Sequence, residues 1–188
     1  MAMSSLSLNP FSRSLSSLPS SISTHVAIPQ SQGLLSRAQN NTVSTHIQSL
    51  MQNVVSGYQQ VLQVGIYYPG NILIFKRFLQ EVEFEVLKIN VGSMKQLDHE
   101  QKTHIVAAIQ TAYQSIFSIT APQYQQLNGQ IVQFYSRMTN DPYAANNSFM
   151  ACQLMHLAYA KGFLESLSFC ALDGLHRMRV DMVTAEHV

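Results

Sequence analysis

The segment NTVSTHIQSLMQNVVSGYQQVL, residues 41–62, decides the fold class. Its apolar residues recur at steps of three and four, a spacing that places them along one side of an α-helix. They are Val43, Ile47, Leu50, Met51, Val54, Val55, Tyr58, Val61 and Leu62. Asn41 or Thr42 can cap the start, and the Gly and Pro residues at 65–70 are predicted to end the helix. Such a helix needs other helices to cover its apolar side.

The next segment, residues 71–90, fits two periods. Phe75, Phe78, Leu79, Val82, Val86 and Ile89 form a helical face, whereas residues 81–86 alternate as an exposed strand would. Its length and the capping residue Asn71 favour a helix, and a single strand would lack a partner elsewhere in the chain. A strand is kept as the alternative.

Residues 98–172 are predicted to contain three more helices. Asp98 and Gln101 have the spacing of a capping box, and the helix that follows is expected to end near Phe117. A second is expected to start near Thr120, with Pro122 in its first turn. The break at 140–142 precedes the last helix, from about Ser148 to Leu172. Five amphipathic segments joined by short breaks predict an all-α fold, a helical bundle of about five helices.

The first forty residues differ from the rest. They are rich in Ser and Leu, contain three prolines and show no helical or strand period. We therefore expect a disordered N-terminal leader at 1–40 and a single helical domain at 41–188. An organelle transit peptide, an export signal and a plain tail all fit this composition.

Composition narrows the function. Only 11% of the residues are charged and the formal net charge is +1, so the chain lacks the basic surface that nucleic-acid binding requires. No apolar stretch approaches the roughly 20 residues of a membrane-spanning helix. A soluble protein in a reducing compartment is expected: the cytoplasm, an organelle stroma, or a bacterial cytoplasm before export. Cys152 and Cys170 lie roughly 27 Å apart on one helix, too far for a disulfide.

Cys152 and His156 are one candidate site, because they lie one turn apart in the last helix. A helical wheel places both on the side away from Lys161 and Glu165, which predicts a buried thiol and a core histidine. Catalysis would need an exposed thiolate and a third group to orient the imidazole, and zinc would need further ligands. We interpret the pair as packing residues, with a catalytic or ligand role as the alternative.

The other candidate is the polar cluster Asp98–His104. Glu100 and His104 share a helical face and could bind a metal or act as a base, but acidic residues in a first turn also complement the helix dipole. The segment 173–177 is read as a loop after the last helix. The weak candidates are thus Cys152, His156, Asp98, Glu100 and His104, with no cofactor and no metal expected.

These observations favour a protein–protein interaction module without catalytic activity, an adaptor or chaperone-like subunit with a link to secretion. The support is the absence of a catalytic motif and the amide-rich surfaces, which cost less to desolvate than charged ones. A small enzyme using His156/Cys152 or the Asp98–His104 cluster is one alternative, and an imported organelle protein with a cleaved leader is another. The partner is another protein; self-association stays open.

Overall fold

The computed structural model of the chain describes residues 37–64, 67–93 and 97–184. These ranges contain five helices and no strand; the helices are α1 Arg37–Gln63, α2 Pro69–Ser93, α3 His99–Asn140, α4 Pro142–Ala145 and α5 Ser148–Thr184. The all-α prediction is confirmed, and 71–90 is helical. Residues 1–36 of the expected leader lie outside the described residues, and α1 begins at Arg37 rather than at Asn41 or Thr42.

The four long helices form two layers. α1 packs against α2 and α3, α2 also packs against α5, and α3 packs against α5. Contacts such as Gln110 with Arg179 and Asn128 with Lys161 show that α3 and α5 run antiparallel. We call α3 and α5 the long layer and α1 and α2 the short layer.

The long layer extends beyond the short one. α3 and α5 have 42 and 37 residues, whereas α1 and α2 have 27 and 25. Near the turn between α1 and α2, the Tyr58 hydroxyl lies 2.6 Å from Thr120 Oγ1, and the Tyr67 and Phe163 ring centroids are 5.5 Å apart. Residues 121–160 therefore project past the short layer, with about 30 Å of α3 (121–140) and about 20 Å of α5 (148–160). We call them the hairpin extension.

The core lies where both layers are present. Buried residues of α3 end at Ile116, and those of α5 begin at Ala160. The hairpin extension instead has a half-buried seam between its two helices, spaced alternately by three and four residues as in a coiled coil. The seam contains Tyr124, Leu127, Ile131, Phe134 and Met138 of α3 and Met150, Leu154 and Leu157 of α5.

The predicted break near Thr120 is wrong, because α3 continues through Pro122. The Thr120 hydroxyl donates to the Ile116 carbonyl at 2.7 Å instead of capping a new helix. Proline removes one donor from the helix. The seam on both sides of Pro122 packs against the same partner, α5, so we attribute the continuity of α3 to this shared packing.

The predicted loop at 173–177 is also wrong, because α5 continues to Thr184. Gly174 is buried, and a Cβ atom there would lie 2.9 Å from Leu79 Cγ. The glycine thus permits close approach of α2 and α5 and does not end the helix. One turn later, the Arg177 guanidinium pairs with Asp173 and with Glu83 of α2, and the hydrogen bond to Glu83 is the main cause of its raised pKa.

Candidate functional site

Cys152 and His156 are both exposed, which contradicts the predicted burial. They lie on α5 within the hairpin extension, on a side that the seam does not cover. The helical wheel failed because it took Lys161 as a marker of the solvent side. Lys161 belongs to the seam: its Nζ donates to Asn128 Oδ1 at 3.2 Å and lies 5.1 Å from the Tyr124 ring centroid.

The surroundings of Cys152 offer little for catalysis. Across the described ranges, no group of three or more His, Cys, Asp and Glu side chains could hold a metal ion. Both cysteines are free, and burial raises the pKa of the half-buried Cys170 thiol, which favours its protonated form. An exposed thiol on a helix with one imidazole a turn away is available to reagents, but it lacks the third group that orients a catalytic base.

The Asp98 carboxylate has a structural role at the start of α3. Its Oδ1 accepts from the Gln101 backbone N–H at 2.8 Å, and Gln101 Oε1 accepts from the Asp98 N–H at 3.0 Å. This reciprocal pair confirms the predicted capping box. Glu100 is exposed in the first turn, where a negative charge complements the helix dipole.

His104 lies at the edge of a cleft between α1 and α3 with a volume of about 590 Å³. Small side chains of α3 open this cleft. Its lining residues are Gln48, Met51, Gln52, Val55, Ser56, His104, Ala107, Ala108, Thr111, Ala112 and Ser115. Two of its hydroxyls, those of Thr111 and Ser115, donate to carbonyls of their own helix at 2.9 Å. The lining therefore offers apolar surface, amides and one imidazole, and no carboxylate.

The two groups of candidate residues are far apart. Along α3, His104 lies about 36 Å from Asn128. Asn128 contacts Lys161 of α5, and Cys152 and His156 lie still farther from His104, in the hairpin extension. The structure therefore does not combine these candidates into one site.

A second groove runs between α3 and α5 on the side away from the short layer. Its volume is about 440 Å³, and its lining residues are Tyr113, Tyr124, Glu165, Ser168, Phe169, Leu172, Asp173 and His176. We call it the outer groove. Phe169 is 74% exposed, and the lining contains two carboxylates but no Lys or Arg. Sequence reasoning missed this groove because its lining comes from two helices whose contact the sequence does not show.

Large apolar side chains are exposed along the same part of the molecule. Between residues 117 and 169 they are Phe117, Val132, Tyr135, Tyr143, Phe149, Met155, Tyr159 and Phe169. Between Phe117 and Ala160 the sequence contains only two formal charges, Arg137 and Asp141. Extended apolar surface with so little charge is typical of interaction sites rather than of a free, fully solvated surface.

Comparison with protein-family models, curated proteins and solved structures finds no match. None of the described helices is both long enough and apolar enough to cross a membrane.

Proposed function

We propose that this protein is a non-catalytic interaction module that binds a short segment of another protein in the outer groove. The observation that carries the proposal is the exposed aromatic surface of the long layer, centred on Phe169. An aromatic side chain with 74% exposure contributes little to the stability of its own chain but provides large contact area to a partner.

The lining of the outer groove indicates the chemistry of the partner. Leu172, Phe169 and the two tyrosines supply an apolar floor, while Glu165 and Asp173 add negative charge at its edge. Asp173 is already shared with Arg177, which leaves Glu165 as the main free carboxylate. A segment with an apolar anchor beside Lys or Arg would complement this surface in shape and in charge.

The alternative of a small enzyme has less support. The exposed Cys152–His156 pair stands far from the Asp98–His104 cluster, and Asp98 is engaged in the capping box. The adaptor role rests on the groove alone, and a chaperone-like or secretion-linked role would be a more specific version of it.

Selection of random peptides displayed on phage against the full-length protein tests the proposal. We expect enriched peptides to carry an apolar anchor next to Lys or Arg. Phe169→Glu should weaken their binding at least tenfold, equivalent to about 1.4 kcal/mol.

The matched control is Phe149→Glu, which changes the same residue type at 67% exposure on the other side of the same helix. It should leave peptide affinity unchanged. The proposal fails if no peptide is enriched, or if Phe169→Glu binds the selected peptides as tightly as the original chain does.

A further inference from the structure

The dipeptide Asn128–Gly129 lies inside α3, in the part of the helix that belongs to the hairpin extension. Both residues are exposed. A Cβ atom at Gly129 would meet no atom within 4 Å, so packing does not require a glycine at this position. Glycine is also one of the poorest helix formers. The dipeptide is therefore a weak point of α3 that no packing contact explains.

An Asn–Gly pair is chemically reactive. The backbone nitrogen of Gly129 can attack Cγ of Asn128 and close a cyclic imide, and glycine has no Cβ that would hinder this approach. The bond from Cγ to Nδ2 breaks, and the nitrogen leaves as ammonia together with the proton that the Gly129 nitrogen loses. Water then opens the imide, which leaves one peptide bond and one carboxylate. Asparagine is accordingly among the thermolabile residues of proteins.

Two contacts of the folded protein oppose this reaction. Within α3, the Gly129 N–H donates to the Gln125 carbonyl, four positions earlier. The Asn128 Oδ1 accepts from Lys161 Nζ at 3.2 Å, which holds the side-chain amide on the side of α5. Closure of the imide therefore requires that this turn of α3 opens and that the contact with Lys161 breaks.

Such an opening does not require the whole protein to unfold. The neighbouring seam residues Leu127 and Ile131 are half-buried, and the buried residues of α3 end at Ile116. Asn128 lies about 18 Å beyond Ile116 along the helix. Local opening costs less free energy where fewer apolar contacts must be broken. The turn around Asn128 can therefore open while the shared core stays closed.

We propose that Asn128 is a site of spontaneous covalent modification, at which the folded protein loses ammonia through local opening of the hairpin extension. Water is the only co-reactant, and no oxidant or reductant takes part. The product carries one more negative charge than the original chain. This charge is added to a segment that contains only two formal charges between Phe117 and Ala160, those of Arg137 and Asp141.

The imide gives two products, which change the contact between α3 and α5 in opposite directions. Attack of water at Cγ gives an ordinary aspartate, whose carboxylate can accept from Lys161 in a stronger, charge-assisted hydrogen bond. Attack at the main-chain carbonyl carbon gives isoaspartate, in which the backbone runs through Cγ and is one carbon atom longer. This extra atom breaks the regular hydrogen-bond pattern of the helix. Isoaspartate should therefore loosen the seam around residue 128.

Peptide mapping by mass spectrometry of the full-length protein tests the proposal. The protein is kept at mildly alkaline pH in water enriched in heavy oxygen, which labels every carboxylate formed during the incubation. We expect Asn128 to react about tenfold to a hundredfold more slowly than in a synthetic peptide of residues 123–134, because the helix must open first. Gly129→Ala should slow the reaction at least about fivefold, since alanine hinders the attack and stabilises the helix.

Two isoleucine variants show which part of the chain opens. Ile131→Ala removes apolar contact from the seam and should accelerate the reaction at Asn128 at least about threefold. Ile47→Val weakens the shared core, in which Ile47 is fully buried, and should leave the rate unchanged. Both variants must keep the circular dichroism spectrum of the original chain.

Three results would overturn the proposal. Absence of conversion over about a hundred half-times of the peptide reaction would mean that the helix stays closed around Asn128. Acceleration by Ile47→Val, or none by Ile131→Ala, would mean that opening of the hairpin extension does not control the reaction. An unchanged rate in Gly129→Ala would mean that the reaction does not pass through attack by the backbone nitrogen. None of these measurements depends on peptide binding in the outer groove.

Discussion

At the residue scale, two linked hydrogen bonds join Tyr58 to Thr120 and Thr120 to the Ile116 carbonyl. Thr120 donates its hydroxyl hydrogen to the carbonyl at 2.7 Å, so the Tyr58 hydroxyl, 2.6 Å from Thr120 Oγ1, acts as the donor to it. Tyr58 is fully buried between α1 and α3. Donation requires the protonated phenol, and burial raises the pKa of Tyr58.

Tyr58→Phe should therefore lower stability by about 1 kcal/mol near pH 7, the usual net value of a hydrogen bond. A pKa raised in the folded state means that the phenol stabilises the fold fully below its unfolded pKa, about 10, and loses this contribution as pH rises through the folded value. The difference in urea midpoint between wild type and variant should thus narrow above pH 10.

The control is Tyr135→Phe, which changes an exposed tyrosine and should alter the free energy of unfolding little at any pH. A Tyr58→Phe difference that stays constant up to pH 11 would mean that the pKa of Tyr58 is the same in the folded and unfolded states, which would contradict the raised pKa.

At the element scale, the periodicity of apolar residues was a good guide to where helices form and a poor guide to where they end. It predicted α1, α2 and the capping box at Asp98, because these depend on neighbouring residues. It placed breaks at Thr120 and at Asp173–Gly174, where the residues have ordinary end signals. Both signals are overridden by packing against another helix, and no local pattern contains that information.

The exposure of the candidate site residues on α5 could not be predicted from local sequence patterns for the same reason. The helical wheel of α5 treats the environment of the helix as uniform along its length, and it therefore predicts that Cys152 is buried. Leu167 is fully buried, Leu157 is half-buried and Cys152 is exposed, because the short layer covers only one end of α5. The exposure of this end of α5 depends on the relative lengths of the four long helices, which the sequence does not state directly.

Two glycines of α5 allow the effect of helix propensity on stability to be compared with the effect of helix–helix packing. Gly174→Ala would push a methyl group into Leu79, and we expect a loss of about 1 to 3 kcal/mol through overpacking between α2 and α5. Gly162→Ala meets no atom within 4 Å and should stabilise the protein by about 0.5 to 1 kcal/mol, since alanine is the better helix former. Urea denaturation of both variants measures the two changes in the free energy of unfolding. Effects of equal sign would show that helix propensity, rather than the α2–α5 contact, controls stability at Gly174.

At the scale of the whole molecule, the two layers divide the chain into parts of unequal stability. Where all four helices are present, each helix of the long layer has two neighbours and its buried residues are almost completely covered. In the extension, each has one long neighbour and the seam is only half-buried. Local opening costs less where fewer apolar contacts must be broken.

Rates of amide hydrogen exchange should therefore differ between the two halves of each long helix. Amides of α3 around Ile105–Ile116 and of α5 around Phe163–Met178 should exchange only through global unfolding, because opening them exposes the shared core. Amides of residues 124–138 and 150–158 should exchange at least about tenfold faster, since at least 1.4 kcal/mol less is needed to open them. Uniform protection along α3 and α5 would contradict this division into two parts, because it would mean that the extension opens only together with the core.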